Sequence, residues 1–165
     1  LSNLIELGLS HNNLSVDINF RDDQDLSPFP HMKHIMLASC KLRRIPSFLI
    51  NQSKLVYVDL SDNGIKGPIP SLISQLGYLA YLNLSKNFLT NLQESNTLVR
   101  LTNLIAVDLS SNQLQESFPF IPSFITYLDY SNNRFNTVIP LDIRNSLPSI
   151  NFLSLSNNSF QGQIP

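Results

Sequence analysis

The chain has 165 residues, with 11 lysines and arginines against 12 aspartates and glutamates, so its net charge is −1. This length suits one domain of roughly 150 residues, and the charge excludes the basic excess that a binder of nucleic acid or anionic membrane needs. Charged residues are only 14% of the chain, whereas leucine, serine and asparagine together number 69. Such a bias indicates an internal repeat.

A repeated pattern of leucine and asparagine runs along the chain in seven copies. The first copy, L-x-x-L-x-L-x-x-N-x-L, begins at Leu4 and ends at Leu14. Each copy predicts a short strand, an asparagine turn and a return segment, and the copies must stack because none can bury its apolar face alone. The central strand residue recurs every 21 to 28 residues, at Leu7, Ile35, Val58, Leu82, Val107, Leu128 and Leu153. The pattern therefore predicts an α/β-type, right-handed repeat solenoid with a parallel β-sheet on its concave face and few regular helices.

The turn position of each copy predicts a buried ladder of polar side chains. Its residues are Asn12, Cys40, Asn63, Asn87, Asn112, Asn133 and Asn158. A buried asparagine there bonds backbone groups of its own turn and the next, which would otherwise lack partners. Cys40, the only cysteine, is expected to be a buried member of this ladder rather than a reactive thiol, because no basic or histidine partner occupies a matching position.

The return segments add a second pattern, an apolar residue followed by proline, and two of them complete G-x-I-P at Gly67 and Gly162. The fourth and fifth copies lack I-P, so their return segments are expected to be irregular. Residues between Leu14 and Met32 lengthen the first copy and contain several aspartates and prolines, which predicts an exposed loop.

These motifs resemble a known family. The combined pattern L-x-x-L-x-L-S-x-N-x-L-x-G-x-I-P is similar to the plant-specific leucine-rich repeat, and the runs at 51–63 and 124–133 resemble ectodomains of plant receptor-like proteins, particularly the Verticillium-wilt-resistance type. The resemblance covers essentially all of residues 1–165, as one leucine-rich-repeat domain of about seven repeats. It implies a non-enzymatic segment of a cell-surface immune receptor, on the extracellular face of the plasma membrane, that recognises a pathogen-derived or endogenous protein or peptide. Signalling would then need a partner co-receptor kinase acting through the full-length receptor.

Neither end of the sequence has the polar capping repeat with which repeat arrays normally close. We therefore expect an uncapped interior fragment of a longer ectodomain, with membrane contact only through segments outside this chain, since no run of about 18 apolar residues occurs. Two related proteins remain as alternatives, a receptor-kinase ectodomain and a secreted inhibitor resembling the polygalacturonase inhibitors. The uneven repeat spacing favours the receptor over the inhibitor.

Aromatic and acidic residues form two neighbouring columns on the predicted concave face. The position before each central residue reads Glu6, His34, Tyr57, Tyr81, Ala106, Tyr127 and Phe152, and the position after it reads Gly8, Met36, Asp59, Asn83, Asp108, Asp129 and Ser154. Rigid rings beside carboxylates favour a peptide that carries lysine, arginine or a free amino terminus. The predicted ligand-binding residues are Tyr57, Asp59, Tyr81, Asp108, Tyr127 and Asp129. The alternative is a structural ladder in which the carboxylates bond neighbouring serines.

Four sequons predict glycosylation, at Asn13, Asn51, Asn83 and Asn157, and a glycan on Asn83 would cover part of the concave surface. Catalytic signals are missing from the sequence: no nucleophile elbow and no phosphate loop occur, and His31 and His34 have no third metal ligand near them. We therefore expect a binding protein without catalytic residues, bound metal or cofactor. An enzyme is the remaining alternative from a different class.

Overall fold

Seven strands of three residues each form one parallel sheet in the computed structural model, which describes residues 3–13, 31–115 and 122–165. In chain order its strands are β1 (Glu6–Gly8), β2 (His34–Met36), β3 (Tyr57–Asp59), β5 (Tyr81–Asn83), β7 (Ala106–Asp108), β8 (Tyr127–Asp129) and β9 (Phe152–Ser154). The seven central residues predicted from the repeat pair with one another across the whole sheet, from Leu7 to Leu153. The parallel-sheet solenoid and its register are confirmed.

The two faces of the sheet differ because side chains alternate along a strand. In β2, β3, β7 and β8 the central residue is buried and its two neighbours are half-buried on the opposite face. One continuous core along the solenoid contains five of the seven central residues, Ile35, Val58, Leu82, Val107 and Leu128, and Leu7 packs against it. Each predicted aromatic or acidic residue of the strands therefore lies on the outer, concave face.

The asparagine ladder is present and connects successive turns. The side-chain oxygen of Asn63 accepts bonds from the backbone N–H groups of Cys40 and Leu42, both at 2.9 Å, and its amide donates to the carbonyls of Leu37 at 2.8 Å and Leu60 at 3.0 Å. The same pattern recurs at Asn87, Asn112, Asn133 and Asn158. Each asparagine therefore satisfies backbone groups of its own turn and of the turn before it.

Cys40 takes part in the ladder as predicted. Its side chain is fully buried, and its thiol donates to the carbonyl of Leu9 at 3.2 Å. Burial raises the pKa of the Cys40 thiol, and the backbone of Asn12 opposes this shift only in part. A buried thiol with a raised pKa is a poor nucleophile, which supports the structural interpretation.

A second, two-stranded parallel sheet lies on the return side, formed by β4 (Lys66–Ile69) and β6 (Phe88–Leu92). The expectation that the fourth repeat is irregular there was wrong for β6, whereas the rest of its return segment, 93–100, consists of bends and turns. It lacks I-P, yet the backbone of Gln93 still donates to the carbonyl of Ile69 at 2.9 Å and extends the pairing to the end of β6. Gly67 has a φ of +85°, in the region that favours glycine, at the point where the register shifts.

Helical structure is sparse in the described ranges, as predicted. Two 3₁₀ helices, Ser47–Asn51 and Ser71–Gln75, each follow a proline of the apolar-proline motif, and α1 (Ile143–Ser146) is a single turn. Proline suits this place because it lacks the N–H that the first turn of a helix leaves unbonded. The predicted loop at 14–30 and the fifth return segment at 116–121 lie outside the described residues.

Candidate ligand-binding site on the concave face

Aromatic rings line the concave face in an interrupted row. The ring centroids of His34 and Tyr57 are 6.3 Å apart, and those of Tyr57 and Tyr81 are 5.9 Å apart. Farther along the sheet, Tyr127 stacks on Phe152 at 4.5 Å with the ring planes 7° from parallel. Ala106 separates the two groups, because its strand pairs with that of Tyr81 on one side and that of Tyr127 on the other.

The carboxylates of the neighbouring column all make the same local bond. One oxygen of Asp59, of Asp108 and of Asp129 accepts the backbone N–H of the serine two residues later, each at 2.9 Å. Asn83 occupies the same position in β5, and its side-chain oxygen accepts from Ser85 in the same way at 3.0 Å. The structural alternative is therefore correct for one oxygen, although the donor is the serine backbone and not its hydroxyl. Within the described ranges, no donor contacts the second carboxylate oxygen.

The gap at Ala106 forms a hollow of about 180 Å³. Its lining is Tyr57, Tyr81, Leu82, Asn83, Ala106, Asp108 and Tyr127. The structure thus brings together four of the six predicted ligand residues. The other two, Asp59 and Asp129, lie on the same face of the flanking strands but do not line the hollow.

Burial and the neighbouring aspartate carboxylates raise the pKa values of Tyr57 and Tyr127. Burial raises the pKa of Tyr127, and the negative charges of Asp108 and Asp129 raise it further. Burial and then Asp59 raise the pKa of Tyr57 in the same direction. Both phenols therefore stay neutral at physiological pH and remain able to donate a hydrogen bond from the concave face.

Three lining residues, Leu82, Asn83 and Ala106, were not among the predicted ligand contacts. The sequence did show a signal for Ala106, since it is the small residue in a column that is otherwise aromatic between Tyr57 and Phe152. A missing side chain makes a hollow only if the neighbouring rings stand beside it, and this depends on the register. Asn83 was predicted to be a glycan acceptor on this face, and its position in the hollow makes glycan and ligand mutually exclusive there.

The other predicted glycan acceptors lie away from the hollow. Asn13, Asn51 and Asn157 are exposed, and Asn157 donates to the side chain of Asn132 at 2.7 Å. Asn13 accepts a bond from Lys41. Glycosylation at all four sites stays a prediction.

A larger open groove of about 840 Å³ lies outside the predicted site. It is lined by Ser39, Lys41, Arg43, Asp62, Asn63, Gly64 and Lys66. Several of these residues belong to the asparagine turns, and Lys66 lies over the ring of Phe88 at 5.9 Å from its centroid. None of the six predicted ligand residues lines this groove, so its size alone does not make it the better candidate.

Neither a metal site nor a membrane span was found in the described part of the chain. His31 and His34 belong to no group of three or more histidine, cysteine, aspartate or glutamate side chains that could hold a metal ion. His34 instead lies 3.2 Å from the Glu6 carboxylate. Over residues 3–13, 31–115 and 122–165, no helix has the length and apolar character needed to cross a bilayer.

Known proteins share this architecture. A family model described as Leucine Rich Repeat matches residues 54–76 and 124–146. The plant peptide hormone receptor RGFR1 in complex with RGF2 is 30% identical, with a TM-score of 0.71 over 83% of this chain and 23% of that one. The ectodomain of the Arabidopsis receptor kinase HAESA with an extended IDA peptide hormone ligand is 22% identical, with a TM-score of 0.62 over 80% of this chain and 28% of that one, and shows the fold alone. The fold and its asparagine ladder define a leucine-rich-repeat protein.

Among leucine-rich-repeat proteins, the chain is similar to plant receptor-like proteins. Receptor-like protein 15 of Arabidopsis thaliana is 34% identical over 166 residues, which cover 100% of this chain and 14% of that protein. Receptor-like protein 54 of the same plant is 34% identical over 162 residues, 98% of this chain and 19% of that protein. The chain is similar over essentially its whole length to plant leucine-rich-repeat receptor-like proteins, and it spans less than a fifth of the length of these two relatives.

Proposed function

We propose that this chain is a ligand-binding segment of a plant cell-surface receptor-like protein and that its concave face binds a peptide or an extended segment of a protein. The observation that carries the proposal is the hollow at Ala106, where three tyrosines and a carboxylate converge on an otherwise regular sheet. Its rings, exposed at Tyr81 and half-buried at Tyr57 and Tyr127, offer large contact area with little loss of conformational entropy.

The charge of this face specifies the kind of ligand. The two outer columns of the seven strands contain no lysine or arginine, whereas they contain Glu6 and three aspartates. Each aspartate keeps one carboxylate oxygen that no donor from the described ranges contacts. An extended ligand with positive charge would supply the missing donors and would be attracted to this face at long range.

The relatives support a receptor role. The peptide hormone receptor RGFR1, at 30% identity, is bound to RGF2 in its solved structure, and the matching relatives are receptor-like proteins. The full-length receptor would lie at the extracellular face of the plasma membrane, recognise a pathogen-derived or endogenous ligand in immunity, and signal through a co-receptor kinase. Membrane contact would come from segments outside this chain, and the segment itself would bind without catalysing a reaction.

A peptide array tests the binding role. The probe is an array of 12-residue peptides of random sequence, and the measurement is binding of the labelled chain at low and at high salt. The unsubstituted chain should select a set of basic peptides and release them as salt rises. Asp108→Asn with Asp129→Asn should weaken this binding and remove most of its salt dependence.

The two substitutions leave the fold intact because Asn83 already makes the same backbone bond in the same column. Their matched control is Asp142→Asn, which removes an exposed charge beside α1, away from the sheet, and should leave binding unchanged. Selection of no peptide by the chain would overturn the proposed function. If the double variant binds the peptides as well as the unsubstituted chain does, the ligand does not bind at the concave face.

A further inference from the structure

The hollow at Ala106 has the dimensions of a slot for one flat group. Adjacent strands lie about 4.8 Å apart, so the backbones that carry Tyr81 and Tyr127 are separated by about 9.6 Å, with Ala106 between them. Ring centroids on adjacent strands of this sheet are 4.5 Å apart in the stacked pair Tyr127 and Phe152 and 5.9 Å apart in the tilted pair Tyr57 and Tyr81. Two such spacings fill the gap, so one planar group fits between the rings of Tyr81 and Tyr127.

The surroundings of the slot select a positive charge. Asp108 lies two residues after Ala106 on the same face of β7 and lines the hollow, and it takes part in no ion pair within the described ranges. One of its oxygens accepts from Ser110, which leaves the other for a ligand. The aromatic rings on either side also attract a cation through their negative faces.

A guanidinium group meets both requirements. It is planar, stacks on aromatic faces and donates from a rigid set of N–H groups to a carboxylate, whereas a lysine ammonium is a compact point charge that does not stack. A neutral aromatic ring would fill the slot but leave the Asp108 oxygen without a donor. A free amino terminus has the charge without the flat shape.

We propose that the slot between Tyr81 and Tyr127 binds the side chain of an arginine in the peptide ligand, with Asp108 as the partner of its guanidinium. This inference rests on the proposed function, since it specifies which residue of the ligand the concave face recognises. It also accounts for the alanine in a column that is otherwise aromatic here: a bulky residue at position 106 would occupy the place of the arginine.

Methyl NMR tests the slot directly, because the chain contains only three alanines, Ala38, Ala80 and Ala106. Ala38 and Ala80 are 4% and 8% exposed, so their methyl signals serve as internal references. The probes are three pentapeptides with blocked ends, Ala-Ala-X-Ala-Ala, in which X is arginine, citrulline or lysine. Citrulline keeps the planar shape of arginine and removes its charge.

The arginine peptide should shift the Ala106 methyl signal in a saturable way, while the signals of Ala38 and Ala80 stay in place. Its affinity should exceed that of the other two peptides by about tenfold. The citrulline peptide lacks the charge-assisted hydrogen bond, and the lysine peptide lacks the stacking contact. Asp108→Asn should abolish the preference of arginine over citrulline. Asp142→Asn should preserve it.

A second variant, Ala106→Phe, fills the slot with a residue type that its own column already contains. It should have the same melting temperature as the unsubstituted chain. Calorimetric titration should show that it no longer binds the arginine peptide. Equal affinity for arginine and citrulline, or unchanged binding by Ala106→Phe, would overturn the arginine slot. In either case the chain's selection of peptides on the array would still support the proposed function, so the two failures are distinguishable.

Discussion

A single asparagine per repeat secures several backbone groups that no strand or helix satisfies. Asn112 accepts from the N–H of Leu89 at 3.0 Å and donates to the carbonyls of Leu84 and Leu109 at 3.0 and 3.1 Å. It is only 8% exposed, so water cannot replace these bonds without opening the turn. The ladder therefore matters for stability because of the groups it would leave unbonded.

Asn112→Ala should be severely destabilising. Each buried backbone group that loses its partner costs about 1–3 kcal/mol, so the substitution should lower the free energy of unfolding by several times the effect of a surface change. Urea unfolding followed by circular dichroism measures this difference. The control is Asn136→Ala, at an exposed position, and an unchanged unfolding midpoint for Asn112→Ala would contradict a stabilising ladder.

The residues just before the ladder positions show what the sequence did not indicate. Asp62, Lys86, Ser111, Asn132 and Asn157 all have φ between +51° and +57°. Such a backbone is uncommon outside glycine, yet the residue types vary from one repeat to the next. The following asparagine holds the turn through its bonds, so this position needs no particular side chain and has no sequence signature.

At the scale of elements, each three-residue strand is too short to be stable alone, and its identity comes from its neighbours. The second sheet shows the same dependence, since β6 forms without the I-P motif once β4 lies beside it. The backbone of Phe88 donates to the carbonyl of Ile65 at 2.8 Å, which starts this pairing. Local sequence was therefore a poor guide to the strand that opens the return segment of the fourth repeat.

The residue directly after each strand of the large sheet is leucine in every repeat except the sixth, where it is Tyr130. We expect Tyr130 to make the stability of the chain depend on pH. Its side chain is fully buried, its ring centroid lies 5.6 Å from that of Phe135, and burial raises the pKa of Tyr130 well above its ordinary value of 10.0. A raised pKa means that the folded state keeps the phenol neutral. Its contribution to stability is complete below the unfolded pKa and is lost as pH rises from there towards the folded pKa.

The free energy of unfolding should therefore fall between about pH 9 and about pH 11, and Tyr130→Phe should reduce that fall. Urea unfolding at the two pH values measures both chains. Tyr78→Phe changes a ring that is 65% exposed and serves as the control, with the same fall as the unsubstituted chain. An identical fall in Tyr130→Phe would show that Tyr130 does not control this alkaline loss.

At the scale of the whole molecule, burial is uneven along the solenoid. The central residue Leu128 of β8 is fully buried, whereas Leu153, its partner in β9, is 39% exposed. Phe152 beside it is 43% exposed and Ile164 is 92% exposed. This repeat face is apolar and accessible, which favours contact with another apolar surface.

The isolated chain should consequently associate as its concentration rises, and Leu153→Lys should shift it towards the monomer. Sedimentation velocity over a range of concentrations measures the shift. Leu141→Lys, at a residue that is 83% exposed near α1, is the matched control and should not affect association. A chain that sediments as a monomer at every concentration would contradict this prediction.

The sequence by itself determined the repeat, the register of all seven strands and the buried ladder, because each of these depends on residue types that recur at regular intervals. Stacking leaves only one way to bury the apolar positions together, so periodicity was sufficient. It also indicated the aromatic and acidic columns, which contain six of the seven residues that line the hollow.

Only the tertiary structure decided which of those residues act together. The hollow exists because Ala106 lies between two strands that carry tyrosines, and an absent side chain becomes a cavity only when its neighbours are in place. Likewise, one carboxylate oxygen of each aspartate accepts a serine N–H, and the other has no donor within the described ranges. This difference between the two oxygens depends on turn geometry rather than on spacing. Cavities and unused hydrogen-bonding capacity are properties of packing, and a repeat pattern does not determine them.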